Sequence, residues 1–367
     1  MKAAAGLKLA IRAIRVRAVA APMRRPLVTS TGAVSVAALL LIDLETDGGI
    51  FGRSYLFAVG KHNLAPIAKL VEAMAEMVKG DAVAPLDIEK KLRAKYALLG
   101  VHNIVLFAMS GIDMAAWDAL GQALGQPLVR LLGAAPRPIP AYNSKGLGIM
   151  PLNALAKEAS ELVSEGFSAV KLRLGRTRGS DDLEAVKVVK KAIGPGIALM
   201  VDFNQALSVA EALKRGRMID AEGGVEWIEE PIRADDFAGA VKLARELATP
   251  VQLGENFMGP EQMAQAIAAQ ACDFVMPDAE RIGGVTGWMR AAALAQGAGL
   301  EMSSHLFPEV SCHLLAATPT CHWLEYVDWA EAILEEPLRL KDGHVAVPDA
   351  PGIGIKWNEQ AVRKYLV

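Results

Sequence analysis

The sequence predicts an α/β protein in which a barrel of alternating strands and helices follows a smaller α+β domain. Three observations carry this. From about residue 138 onward, eight short apolar runs recur: PIPAYNS, SAVKLRL, IALMVDFN, VEWIEEP, PVQLGEN, CDFVMPDA, GLEMSSHLF and CHWLEY. Each run closes on a polar or charged residue, in order Ser144, Lys171, Asp202, Glu229, Glu255, Asp278, His305 and Glu325, at steps of 27, 31, 27, 26, 23, 27 and 20. A strand–helix unit occupies roughly 20–35 residues, so this is the spacing of a (β/α) barrel. Finally, the Pro-rich AAPRPIPAY marks a change of composition where the series begins. No sequence repeat underlies the rhythm.

Residues 1–137 read as the α+β domain. MKAAAGLKLAIRAIRVRAVAAP is broken by Lys8, Arg12, Arg15 and Arg17, which reads as a strand and not a signal peptide. VAALLLIDLETDGGIFGRSYLF reads as two strands around the Asp47-Gly48-Gly49 turn. IAKLVEAMAEMVKG has helical spacing and stops at Gly80, a natural C′ residue. LFAMSGIDMAAWDALGQALGQPLVRLLG holds two more helical segments, punctuated by Gly121, Gly125 and Pro127.

Bulk properties narrow the class. A chain of 367 residues, 52% hydrophobic and with a formal charge of −2, can bury two sizeable cores. The balanced charge gives no reason to expect nucleic acid or a membrane surface as partner. No apolar run is judged to approach the ~20 residues that span a bilayer. Cys272, Cys312 and Cys321 lack CxxC spacing and an even count. They read as small buried hydrophobes, and the expected location is the cytoplasm.

In such barrels catalytic groups sit at the carboxy-terminal strand ends. Asp202, Glu229 and Glu255 close three consecutive strands, so their carboxylates are expected to crowd together. Uncompensated, that costs several kcal/mol. A hard divalent cation with oxygen ligands, Mg²⁺ first, resolves the conflict, with Asn204 adding a polar contact. Carboxylates paired with barrel cations are the competing structural reading. Asp278 and, one strand later, His305 read as a general base held in one tautomer by a carboxylate. His62, His102, His313, His322 and His344 have no comparable setting. Glu325, beside an anionic ligand, is expected to stay protonated and donate a hydrogen bond. Lys171 and Arg173 share one strand face opposite the dyad. Together these groups suit a carboxylate whose α-proton is removed to give an ene-diolate.

The chain resembles the enolase superfamily, and within it the mandelate racemase family, over nearly its full length. The matching stretches are GRSYLFA, GIDMAAWDALG, AVKLRLG, MVDFNQ, WIEEP, GEN, MPDA, IGGVTGW, SSHLF, LLAATPT and KYLV. The resemblance implies a (β/α)7β TIM-like barrel at 138–332 with an N-terminal α+β capping domain, and a segment 333–367 that returns to the cap. It implies Mg²⁺ on Asp202, Glu229 and Glu255, while Glu230 of WIEEP is not carried over. It implies the Asp278–His305 base, Glu325 and Ser144 as contacts to the substrate carboxylate, and Lys171 as its neutraliser. Tyr55, in GRSYLFA, joins the substrate-pocket candidates. A higher homo-oligomer, an octamer in the family, is the expected assembly.

Arg173 departs from the pattern, because the family has a second lysine there as the base for the opposite face. Holding an arginine neutral at pH 7 costs roughly 7–9 kcal/mol. In PMRRPLVTSTGAVSVA, the segment resembling the family's mobile lid, Leu27 and Val34 are apolar while Thr29 and Thr31 are polar. Arg24, Arg25 and Lys145 are extra cations that either reach a second anionic or hydroxylated group or face solvent. The leading reading is a racemase-like isomerase of an aryl or apolar 2-hydroxycarboxylate. The second is an acid-sugar dehydratase with His305 as sole base, and the third a metal and carboxylate binder without turnover.

Overall fold

The computed structural model describes residues 9–367, so the first eight residues of the predicted leading strand lie outside the described residues. The chain opens with a three-stranded antiparallel sheet, β1 (Ile11–Thr29), β2 (Gly32–Thr46) and β3 (Phe51–Phe57), in that spatial order. The Asp47-Gly48-Gly49 segment turns β2 into β3, with Leu44 opposite Gly52. Four helices follow: α1 (Lys61–Val78), α2 (Pro85–Tyr96), α3 (Ile104–Leu124) and the short α4 (Leu128–Leu131). Gly80 sits just past α1 at φ +83°, the left-handed geometry that ends a helix cheaply. A Cβ on Gly52 would lie 1.9 Å from the Ala115 carbonyl oxygen, so glycine lets α3 lie directly on β3.

One correction concerns apolar runs. α3, at 21 residues, is long and apolar enough to cross a membrane by length and composition. It is apolar all round because the cap sheet, α1 and the barrel surround it, and most of it is buried inside the protein.

The barrel is built from β4 (Ile139–Asn143), α5 (Leu152–Ser164), β5 (Ala169–Arg173), α6 (Gly179–Ile193), β6 (Ala198–Asp202), α7 (Val209–Glu222) and β7 (Ile228–Glu229). It continues through α8 (Phe237–Glu246), β8 (Val251–Leu253), α9 (Pro260–Ala269), β9 (Phe274–Val275), α10 (Gly284–Ala298), β10 (Met302–Ser304), α11 (Pro308–Ala316) and β11 (Cys321–Tyr326). These eight strands are parallel in sequence order, and β11 pairs back onto β4 to close the ring. Along β5 the alternation is visible: Val170 and Leu172 pack in a cluster with α5 and α6, while Lys171 and Arg173 project the other way.

The tail divides, which modifies the expectation that 333–367 returns to the cap as a whole. The hairpin of β12 (Leu340–Lys341) and β13 (His344–Val345) adds antiparallel to barrel strand β4. α12 (Glu359–Tyr365) and its flanks go to the cap, where Trp357 Nε1 donates to Asp43 at 2.8 Å and Val367 N–H to Ala18 O at 3.0 Å. The hairpin strands are two residues each, too short for a sequence pattern to show which sheet they join.

His313 is the buried tie between α4, α11 and this tail. Its Nδ1 accepts from Val129 N–H at 3.3 Å, and its Nε2 lies 3.1 Å from the Ile353 carbonyl. Burial holds its pKa down at about 4. The unfolded chain therefore takes up this proton below about pH 6.5, while the folded chain resists until about pH 4. Stability from this group is present above 6.5 and lost as pH falls through that window, by about 3 kcal/mol. His313→Gln should flatten this component of the stability–pH curve, measured by urea unfolding at steps from pH 7 to 4. An unchanged slope would remove His313 from the acid response.

Candidate active site

The carboxy-terminal strand ends bring eight of the predicted residues into one buried mouth. Asp202 and Glu229 are the last residues of β6 and β7, and Glu255 follows β8 by two positions. One oxygen from each lies within 4.8 Å of the others. Lys171 Nζ enters this group from β5, 2.6 Å from Glu229 Oε1, 2.7 Å from Glu325 Oε1 and 3.6 Å from Asp202 Oδ2. Trp227 Nε1 donates to the other oxygen of Glu229 at 3.1 Å. Asn204 folds back on Asp202, donating from its backbone at 2.7 Å and from Nδ2 at 2.9 Å, while its buried Oδ1 has no partner.

These residues fit a hard divalent cation. Burial raises Asp202, and raises Glu229 to about 8, with Lys171 opposing but not cancelling the effect. Glu230, behind them, is also pushed well above the usual carboxylate range by burial and by Glu255. Two of the three carboxylates are short of positive charge, while, against burial, His305 and Lys171 hold Glu255 below its usual range. With the orphaned amide oxygen beside them, these all-oxygen donors match a Mg²⁺-type set.

The dyad forms as a direct contact. His305 Nδ1 and Asp278 Oδ2 are 2.7 Å apart, leaving Nε2 at 3.5 Å from Glu255 and 3.8 Å from Glu325. Asp278 Oδ1 accepts from Glu280 N–H at 2.7 Å and Arg281 N–H at 3.1 Å, which fixes the carboxylate. Burial pulls the His305 pKa down, but Glu255, Glu325 and Asp278 outweigh it and hold it at about 9. A cation held by Glu255 would cancel part of that field and bring the imidazole toward neutral pH. Lys171 stays charged: burial opposes this, but Glu229 and Glu325 dominate.

Glu325 lies at the centre of a set of donors. It accepts from Ser144 Oγ at 2.6 Å, from Leu306 N–H at 2.9 Å and from Lys171. Burial would raise it, yet Lys171, His305 and Arg173 hold it well below the usual carboxylate range. With Lys171 and Ser144 as its partners it accepts hydrogen bonds; the expected donor role belongs to the state with an anionic ligand beside it.

Arg173 engages the same hydroxyl as Glu325. Its Nη1 donates to the carbonyls of Ser144 and Gly146 at 3.1 and 2.8 Å, and its Nη2 to Ser144 Oγ at 2.6 Å. Only 4% of it is exposed. Arg173, a catalytic candidate despite its departure from the pattern, is thus a clamp on the loop after β4, and it commits the Ser144 hydroxyl between itself and Glu325.

The lid-like segment is the tip of the β1–β2 hairpin. Leu27 faces Val34 across it, and Thr29 Oγ1 and Thr31 Oγ1 lie 2.9 Å apart. The tip rests on the mouth: Ser30 Oγ donates to Phe203 O at 3.0 Å, and Ile149 N–H to Val28 O at 2.7 Å. A Cβ on Gly148 would lie 2.7 Å from that Val28 oxygen, so glycine admits the lid here. The extra cations are already paired, Arg24 with Glu331 at 3.2 Å, Arg25 with Glu165 at 3.0 Å, and Lys145 with Glu165. Tyr55 donates to Glu309 Oε2 at 2.5 Å. His322 lies away from the mouth, 3.9 and 3.7 Å from Glu226 and Glu301 at the opposite end of the barrel.

Sequence reasoning missed a set of supports. Asn256 Nδ2 donates to both Glu230 oxygens at 2.8 Å, and Arg281 donates to Asn256 Oδ1 and, at 3.3 Å, to Glu255 O. Their signal was adjacency, since each flanks a predicted ligand or base by one to three residues.

A closed barrel, a capping domain, three acids on consecutive strands and a His–Asp pair one strand apart define a member of the enolase superfamily. The profile of the mandelate racemase / muconate lactonizing enzyme N-terminal domain matches residues 11–133, and that of the enolase C-terminal domain-like region matches 154–361. The chain belongs to the mandelate racemase / muconate lactonizing enzyme family. It is 33% identical to L-talarate/galactarate dehydratase of Salmonella typhimurium over 89% of this chain and 82% of that protein. A Bradyrhizobium enolase solved with magnesium and mandelic acid is 44% identical, with a TM-score of 0.94, covering 99% of each chain. An enolase from alpha proteobacterium bal199 with bound magnesium is also 44% identical, with a TM-score of 0.96, covering 98% and 100%. Other relatives are named as cycloisomerases, a racemase and an epimerase, so the family is enzymatic and spans several reactions.

Mg²⁺ should raise the melting temperature by binding the folded state. Glu229→Gln should weaken Mg²⁺ binding by at least about tenfold in titration calorimetry, one carboxylate of three being lost. Parent-like affinity in that variant would place the ion elsewhere.

Proposed function

We propose that this protein is a Mg²⁺-dependent acid-sugar dehydratase that removes the α-proton of a 2-hydroxycarboxylate with one base, His305, and eliminates water. The observation that carries this reading is the Arg173 clamp. A racemase needs a proton acceptor and a proton donor on opposite faces of the α-carbon. On β5, where the family resemblance implies a second lysine base, stands a guanidinium whose Nη1 and Nη2 are bonded to Ser144 and Gly146, and arginine is a far weaker proton acceptor than lysine.

Asp202, Glu229 and Glu255 would hold the metal, which when bound supplies Lewis-acid stabilisation of the charge developing on the substrate carboxylate. Lys171 adds a fixed positive charge beside it. His305 Nε2, with Nδ1 held by Asp278, takes the α-proton. The electron pair left on carbon forms the double bond as the C3–O bond breaks, and the departing hydroxide takes the proton back from the imidazolium. Water leaves, and the enol tautomerises to a 2-keto-3-deoxy acid. The lid tip over the mouth shields the charged intermediate from bulk water.

Racemisation remains the second reading. The Leu27–Val34 pair in the lid gives an apolar wall, and a 44% identical relative was solved with mandelic acid.

Incubation in D₂O with Mg²⁺ and a panel of sugar acids and mandelate tests this. The expected result is loss of water with exchange from one C2 configuration only, and none with His305→Asn. Interconversion of mandelate enantiomers would overturn the one-base assignment in favour of racemisation. Silence across the panel would favour a binder without turnover.

A further inference from the structure

The end of cap strand β3 touches both loops that carry the dyad. Phe57 N–H donates to Glu280 Oε2 at 3.1 Å, and Glu280 N–H in turn donates to Asp278 Oδ1 at 2.7 Å. Two residues earlier, the Tyr55 hydroxyl donates to Glu309 Oε2 at 2.5 Å. The Tyr55 ring lies 5.1 Å, centroid to centroid, from that of Phe307, two residues past His305. Tyr55, Glu280, Phe307 and Glu309 are all buried.

The corner after His305 needs holding. Leu306 and Phe307 both sit at φ +48°, a left-handed conformation that branched and aromatic side chains avoid. Two such residues in succession persist only where their surroundings over-determine them. From the barrel side, Leu306 N–H is tied to Glu325 at 2.9 Å, and Ser311 Oγ donates to Leu306 O at 3.0 Å. From the cap side the contact is Tyr55, through the Phe307 ring and Glu309.

We propose that β3 aligns the His305–Asp278 pair. Tyr55 is a positioning residue that fixes the imidazole-bearing corner through Phe307 and Glu309, and Phe57 N–H fixes Asp278 through Glu280. The cap thereby sets the geometry of the base as well as covering the mouth. The kinetic part of the test rests on the proposed function, whereas the spectroscopic part reads the free protein and does not.

The test uses the full chain with Mg²⁺. In the substrate-free protein, the low-field proton resonance of His305 Nδ1–H is identified by its loss in His305→Asn. Tyr55→Phe should move this resonance upfield and broaden it with Mg²⁺ affinity unchanged. It should lower kcat by about ten- to a hundredfold, with KM within about twofold. Glu309→Leu should act alike, while Glu309→Gln, which still accepts from Tyr55, should preserve the resonance. The Glu309 pair keeps the idea falsifiable where Tyr55→Phe fails to fold. An unmoved resonance with a raised KM would make Tyr55 a substrate contact. An unmoved resonance with unmoved kinetics would reduce the contact to packing. Either result overturns the proposal, and the resonance decides the matter even if no dehydration is found.

Discussion

The barrel mouth is organised around one ammonium. Lys171 Nζ stands within 2.7 Å of both Glu229 and Glu325, and all three residues are buried. An isolated carboxylate at that depth would give up its charge. Lys171 keeps Glu325 ionised against burial but leaves Asp202 and Glu229 raised, so compensation is partial. That remaining deficit of positive charge is what a divalent ion at the three acids would remove. The same charges raise His305, so the affinity of the site for the ion and the basicity of the base are two readings of one field.

Holding such groups together strains the backbone nearby. Leu147, Asn204, Gln205, Glu230, Leu306 and Phe307 all have positive φ, and each lies within three residues of Ser144, Asp202, Glu229 or His305. Residues of this kind cost on the order of 1–3 kcal/mol each. The cost buys direction, because at each strand end the chain turns sharply enough to leave the functional side chain pointing inward. The cap, the Arg173 clamp and the Asn256–Arg281 bridge then act as supports that keep those turns in place.

What the sequence revealed follows from this division. Barrel strands register in order, so a residue's position at a strand end maps directly onto its place in the mouth. Asp202, Glu229, Glu255, Asp278, His305 and Lys171 were legible for that reason. The bonds that decide what Ser144, Arg173 and Tyr55 do join elements far apart in the chain: Arg173 to Ser144 across 29 positions, Tyr55 to Glu309 across 254. No local pattern encodes such pairings. The state of Glu325 was hidden likewise, because its charge depends on which donors surround it. α3 is ambiguous for the opposite reason. Its composition is that of a membrane span, and only packing on every side shows it to be a core helix.

Arg173 occupies a place in the mouth where the choice between two cations matters. Lysine and arginine both satisfy the need for positive charge beside β6. A lysine has three donors on a single nitrogen, whereas arginine's planar fork spreads its donors over Nη1 and Nη2, which reach two carbonyls and a hydroxyl from separate positions. Its Nε is left buried without a partner, so the guanidinium is not perfectly housed. The arrangement is nonetheless coherent: Arg173 is engaged by the Ser144 loop on which the lid rests. Under the proposed one-base reaction, a site so built would keep one face of the α-carbon for proton transfer and give the other to structure. Elimination, in which the removed proton can leave with the departing hydroxyl on the same face, is the reaction that asks no more of it.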